Sequence, residues 1–125
     1  MNATVFTYGE GQLTDGVIVS MPAGLTDRAQ IFDAFRTSLP LPAYFGENWD
    51  ALDECLRDLS WIQSERIFVI HQDIPALEAS ALKIYLNLLA ACALYWEQHK
   101  GHELIINFPP ESRKTIEEIL GAEVF

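Results

Sequence analysis

Residues 41–59 read LPAYFGENWDALDECLRDL, and this stretch joins a stiff aromatic loop to a short amphipathic helix. The apolar residues of the helix recur at steps of three, four and three, which is the spacing of one helical stripe. They are Trp49, Leu52, Leu56 and Leu59. The other faces are mainly acidic and carry Asp50, Asp53, Glu54 and Asp58. The pattern therefore predicts a helix that buries one side and presents an acidic side to solvent.

The acidic side opposes the stability of the isolated helix. Asp50–Glu54 and Glu54–Asp58 are like-charge pairs one turn apart, and each costs about 0.2–0.5 kcal/mol. Only Asp50 lies in the first turn, where the helix dipole favours an anion. This cost favours a role in binding, although an acidic helix face is by itself more often a solvated surface. At this point both interpretations stay open.

The residues before the helix restrict the path of the chain. Pro40 and Pro42 fix their own φ angles and push the preceding residues away from helical geometry, so a first helix should end near Leu39. Gly46 can adopt a positive φ at no steric cost. Asn48 is a good N-cap for a helix that begins directly after it. We expect an aromatic-flanked turn that leads straight into the acidic helix.

The motif Tyr44-Phe45-Gly46-Glu47-Asn48-Trp49-Asp50-Ala51-Leu52, followed by Cys55-Leu56, resembles the signature of the barstar family. Members of this family are intracellular inhibitors of a secreted ribonuclease. The order of elements agrees over most of the chain, whereas the first residues and the segment after Phe108 lie outside the resemblance. The resemblance implies a barstar-like fold and a function as an inhibitor, of immunity or antitoxin type, that blocks the active site of a cationic ribonuclease.

The resemblance also implies a set of partner-binding residues in the loop, the acidic helix and a later helix. They are Tyr44, Gly46, Asn48, Asp50, Asp53, Glu54 and Glu97. Glu54 stands where the family has its principal inhibitory aspartate and is one methylene longer, and Asp53 replaces an aromatic residue. Arg57, Asp58 and Leu59 also depart from the family pattern, which favours a different pocket on the target.

Length and charge are consistent with a small acidic binding protein. The chain has 125 residues, with 8 Lys and Arg against 18 Asp and Glu and a formal charge of −10. We expect one domain over residues 1–125, with residues 1–14 and 109–125 as peripheral extensions. Nucleic acid repels such a chain, and a basic protein attracts it.

The expected location is the cytoplasm. Two cysteines are too few for a disulfide framework, so we expect reduced thiols. The N-terminal residues do not read as a signal peptide. The longest unbroken apolar run, Leu88 to Trp96, is too short to span a bilayer. We expect no membrane partner; a homo-oligomer is possible but is not predicted.

The remaining pattern alternates strands with helices. Strands are predicted at residues 17–21, 66–71 and 104–108, and helices at 27–39 (with Thr26 as N-cap), in the acidic segment and at 75–100. Strands that alternate with helices imply crossover connections and a parallel sheet. We therefore predict an α/β fold with a three-stranded parallel sheet packed with helices. An extra N-terminal strand at 4–8 and a short C-terminal helix at 111–120, capped by Gly121, are weaker expectations.

The enzyme alternatives find little support in the residues. Asp50 and Glu54 have the spacing of a carboxylate pair, but two acids on an exposed acidic face would both ionise instead of dividing into acid and base. No His-x-x-Glu-His or Cys-x-x-Cys spacing is present. Cys55 and Cys92 are expected to be buried small hydrophobic residues. We expect no catalytic residue, metal or cofactor. A barstar-like binding module with a target other than a nuclease remains the alternative, ahead of a small catalytic domain.

Overall fold

A computed structural model describes residues 5–9, 15–42 and 45–121 of the chain. The strands are β1 (Thr7–Tyr8), β2 (Val17–Met21), β3 (Arg66–His71) and β4 (Glu103–Phe108). The helices are α1 (Arg28–Ser38), α2 (Trp49–Asp58), α3 (Ala79–Glu97) and α4 (Arg113–Leu120), and a single 3₁₀ turn, Pro110–Ser112, precedes α4.

The four strands form one parallel sheet in the order β1-β4-β3-β2. The predicted α/β fold is confirmed, and β1 supplies the extra N-terminal strand as a short edge. Val19, Val69 and Ile106 are aligned across three strands and are fully buried. Because side chains alternate between the two faces of a sheet, Ile18 of the edge strand β2 points the other way, and 45% of it is exposed.

Helix α1 begins one residue later than the sequence predicted. Its N-cap is Asp27, whose side chain accepts a hydrogen bond from the backbone N–H of Gln30 at 2.9 Å. The assignment of Thr26 as the N-cap was wrong, because the backbone N–H of Thr26 donates to the side chain of Gln30 instead. The helix ends before Leu39, which is extended as expected for a residue that precedes proline.

Helix α3 is shorter than the predicted range of 75–100. The backbone N–H of Ala76 donates to the carbonyl of Leu25, and Glu78 has non-helical backbone angles, so the first helical residue is Ala79. The C-terminal helix α4 also begins late, at Arg113, because the residues before it form the 3₁₀ turn. A tertiary hydrogen bond sets the start of α3, and the local 3₁₀ turn sets the start of α4.

Helix α3 lies at the centre of the core. It packs against α2, β4 and α4, and its buried residues are Tyr85, Leu86, Leu88, Leu89, Ala90, Cys92, Ala93 and Trp96. By length and composition alone, α3 is apolar enough to cross a membrane, but the central helix of a globular core has the same composition. The buried core also includes Phe6 before β1 and Ile116 of α4. The assignment of residues 1–14 and 109–125 as peripheral stays a prediction.

A buried histidine joins two strands to α3. His71, at the end of β3, donates from Nδ1 to the carbonyl of Asn107 at 3.0 Å, because a carbonyl can only accept. Its Nε2 therefore accepts from the hydroxyl of Tyr85, at 2.7 Å. The ring also stacks on Phe108, with centroids 3.9 Å apart. Burial lowers the pKa of His71 to about 4, so the imidazole is neutral at pH 7.

Candidate functional site

Both ends of α2 are held by local structure. The helix begins at Trp49 as predicted, and Asn48 Oδ1 caps it by accepting from the backbone N–H of Ala51 at 2.8 Å. At the other end Leu59 adopts a left-handed backbone with φ of 48°, and its N–H donates to the carbonyl of Cys55. A left-handed leucine is strained by roughly 1–2 kcal/mol. The Leu59 side chain is fully buried, and this burial offsets the strain and anchors the end of α2.

Helix α3 supports α2 along its length. The indole Nε1 of Trp96 donates to the carbonyl of Leu56 at 2.7 Å, and this carbonyl lies in the last turn of α2, where no helical partner is available. Near the start of α2 the rings of Trp49 and Tyr85 lie 5.7 Å apart. The contacts advance in the same direction along both helices, so α2 and α3 run parallel. The acidic helix therefore lies on a rigid support.

Asp50 and Glu54 are both exposed, one turn apart, on the side of α2 that faces away from the core. The five ion pairs found within residues 5–9, 15–42 and 45–121 include neither carboxylate. Two like charges this close repel each other, and neither is compensated by a basic neighbour in the described chain. A cationic group from another molecule could relieve this repulsion.

Asp53 has a different environment from these two acids. Its Oδ1 accepts from Arg57 Nε at 2.9 Å and from Cys92 Sγ at 3.2 Å. The hydrogen bond with Asp53 raises the pKa of Arg57, and the guanidinium carbon lies 5.6 Å from the ring centroid of Tyr95. Asp53 thus links α2 to α3, and its charge is compensated within the chain.

The other predicted partner-binding residues occupy varied positions. Tyr44 lies outside the described residues. Gly46 is exposed and does not use its freedom to adopt a positive φ, and a Cβ at this position would meet only Asn48 Nδ2, at 3.8 Å. Glu97 is exposed at the end of α3, about three turns beyond Tyr85. It lines a cavity of about 470 Å³ together with Phe6 and Leu104, so the structure does not bring Glu97 to the acidic face of α2.

An ion pair and a cation–π contact join the loop to α1, and the sequence did not predict them. Arg36, in the last turn of α1, pairs with Glu47 at 3.1 Å, and its guanidinium carbon lies 5.2 Å from the ring centroid of Phe45. The edge of the Phe45 ring also packs against Phe32 of the core. The basic residue at the C-terminal end of a helix was a weak signal in the sequence, because it has an ordinary explanation in the helix dipole.

Comparison with known protein families matches residues 18–109 to the family described as Barstar (barnase inhibitor). The matched range begins within β2, ends just after β4, and includes α1, the loop, α2 and α3. No curated protein and no solved structure gave a significant match to the chain.

Proposed function

Because this chain belongs to the barstar family, we propose that it inhibits a cationic ribonuclease by occupying the active site of that enzyme with α2. Family membership supports protein binding of the barnase-inhibitor kind. The finer parts of the proposal are the ribonuclease target, the residues that contact it and a protective function in the cytoplasm. The observation that supports a cationic target and contact through α2 is the pair Asp50 and Glu54, exposed on one face of a supported helix and paired with no basic side chain in residues 5–9, 15–42 and 45–121.

The chemistry of the target explains why carboxylates would suit this task. A ribonuclease needs Arg, Lys or His side chains to hold phosphate and to stabilise the negative charge that develops in the transition state. Carboxylate oxygens can accept charge-assisted hydrogen bonds from the same groups. Asp50 and Glu54 would then occupy the positions of phosphate oxygens, and RNA would be excluded. Gly46 and Asn48 would shape the contact beside them, with Tyr44 as a further contact.

The net charge of the chain would act mainly on the rate of encounter. A formal charge of −10 attracts a basic enzyme over several ångströms, and this attraction raises the association rate more than it slows dissociation. It also makes association sensitive to salt, because the Debye length is only about 8 Å at physiological ionic strength. The charge-compensated pair Asp53–Arg57 would contribute little to this attraction.

Inhibition assays with matched charge variants test the proposal. The purified chain is titrated against barnase and a panel of other small basic ribonucleases, with cleavage of a fluorogenic RNA as the readout. We expect Asp50→Asn and Glu54→Gln each to raise the inhibition constant about 10–100-fold, because an amide forms weaker hydrogen bonds with a cation than a carboxylate does. Glu118→Gln is the control, since it removes one charge from an exposed position on α4.

The control separates local contact from general attraction. We expect Glu118→Gln to change the inhibition constant by less than about threefold, since exposed charges distant from the interface are screened. Equal inhibition by the wild type, Asp50→Asn and Glu54→Gln would exclude α2 as the contact. If the wild type inhibits no ribonuclease of the panel, the target belongs to another class, and the chain is a barstar-like module with a different protein partner.

A further inference from the structure

Ile84 on α3 is an exposed apolar side chain in an unusual place. It is 47% exposed, and within the described chain only Ile18 on β2, at 45%, is another large apolar residue with this degree of exposure. Ile84 begins a row at steps of four, three and four that continues through Leu88, Ala91 and Tyr95, and this spacing belongs to one helix face. Within this row Leu88 is buried and Ala91 and Tyr95 are half-buried, so Ile84 is the exposed end of the row, while α3 buries Leu86, Leu89 and Ala93 on its other side.

The row on α3 borders the acidic face of α2. Tyr85, the neighbour of Ile84, packs against Trp49 at the start of α2, and Asp50 is the next residue along that helix. At the far end of the row Tyr95 lies beneath the guanidinium of Arg57. The two helices run parallel and bury their core sides together, so their outer sides form one continuous surface.

We infer that this α2–α3 surface, defined by Asp50, Glu54 and Ile84 with its row, binds one protein partner whose cationic groups lie beside an apolar side chain. The inference rests on the proposed function and extends it, since the partner is the same ribonuclease. The carboxylates would contact the cationic cleft, and Ile84 would contact an apolar residue at its rim.

Charge decides between this partner and a second copy of the chain. The spacing of the α3 row would also suit pairing with the same helix of another copy. In a symmetric dimer the same patch meets itself, so the acidic faces beside the two rows would be brought together. Each copy carries a charge of −10 and the uncompensated pair Asp50 and Glu54, and this arrangement opposes self-association. A basic protein removes the repulsion and covers the apolar row at once.

The two halves of the surface should differ in how they affect binding. The carboxylates would steer the encounter and would also hydrogen-bond to the enzyme in the complex, so their removal slows association, an effect that fades in high salt, and also speeds dissociation. A buried apolar contact acts after encounter and slows dissociation, and salt does not screen it. Truncation of Ile84 should therefore raise the dissociation rate by the same factor in low and high salt and leave the association rate unchanged.

The test compares Ile84→Ala with Ile18→Ala, which truncates a similarly exposed isoleucine on the edge strand β2, on the opposite face of the sheet from the buried Val19. Association and dissociation rates are measured with whichever ribonuclease of the panel the wild type inhibits most strongly, in 0.1 M and 1 M NaCl. We expect Ile84→Ala to raise the dissociation rate about 10-fold in both salts and to leave association within about twofold. Ile18→Ala should change neither rate by more than about twofold. Thermal unfolding verifies that both variants are folded.

Three results would overturn the inference. The first is an Ile84→Ala variant that dissociates no faster than Ile18→Ala while the wild type inhibits, which leaves the proposed function intact. The second is a wild type that sediments as a dimer and becomes monomeric when Ile84 is truncated, which assigns the row to a second copy. The third is a wild type that inhibits no ribonuclease of the panel, which removes the proposed function and this extension together.

Discussion

Acidification should destabilise the fold through the buried imidazole of His71. In the unfolded chain this side chain takes up a proton near its ordinary pKa of 6.5, whereas in the folded chain it stays neutral down to about pH 4. Between these two values the unfolded state binds more protons, so the free energy of unfolding falls as the pH falls. At 1.36 kcal/mol for each pH unit, the loss between pH 6.5 and pH 4 is about 3 kcal/mol. Above pH 6.5 both states are neutral, and this group adds no pH dependence.

The assay is urea unfolding followed by tryptophan fluorescence at a series of pH values from 7 to 4. Carboxylates titrate at the acidic end of this range as well, so the wild type is compared with His71→Asn, which lacks the imidazole and keeps a donor near the carbonyl of Asn107. We expect the wild type to lose about 3 kcal/mol more than the variant across the range. Parallel stability curves for the two proteins would refute the assignment of a buried neutral imidazole.

A second variant tests the hydrogen bond that orients the ring. Tyr85→Phe removes the hydroxyl that donates to Nε2 of His71 and preserves the shape of the side chain. The buried Nε2 is then left unpaired, so we expect a loss of about 1–3 kcal/mol at pH 7. The remaining pH dependence should be smaller than in the wild type, because the neutral imidazole loses the hydrogen bond that favours it and the pKa of His71 in the folded chain moves back toward its ordinary value. A variant as stable as the wild type would contradict this arrangement.

Three further predictions concern stability and reactivity. Trp96→Phe leaves the carbonyl of Leu56 without its donor and should lower the free energy of unfolding in urea by about 1–3 kcal/mol. The control Trp61→Phe removes an indole N–H that has no partner in the described chain, so it should cost less. Equal losses in the two variants would contradict this reasoning. Gly16→Ala should lower the free energy of unfolding by about 1–3 kcal/mol, because a Cβ would lie 2.6 Å from a backbone oxygen. Gly46→Ala, measured by the same urea unfolding, should be neutral or slightly stabilising. Both cysteines are buried and burial raises the pKa of each thiol, so a thiol reagent should modify them only at the rate of unfolding; fast modification of the native protein would refute this.

Local chemistry made much of the fold predictable. The cap at Asn48, the end of α1 before Pro40 and the strand Arg66–His71 depend on neighbouring residues alone, and all three were confirmed. The start of α3 was placed too early because it depends on a backbone hydrogen bond to Leu25, which is distant in sequence. No local pattern contains that information.

The candidate site was less predictable than the fold. The exposure of Asp50 and Glu54 follows from the helical stripe and was expected. The environment of Asp53 was not expected, because its contact with Cys92 depends on how α3 is rotated against α2. The same rotation directs Glu97 toward the cavity beside β1 and β4. Periodicity identifies which residues share a face, but it does not specify which neighbour that face meets.

The position of β1 has a consequence for how the protein is made. Of the four strands in the described sheet, β1 is translated first, yet its pairing partner β4 is translated last. Asn107 Nδ2 donates to Thr7 Oγ1 and to the carbonyl of Gly9, both at 2.9 Å, so these bonds form only after the chain has been translated through β4. In a nascent polypeptide that lacks β4, strand β1 has no pairing partner and β3 has no neighbour on that side. The sheet is therefore completed only after β4 has been translated.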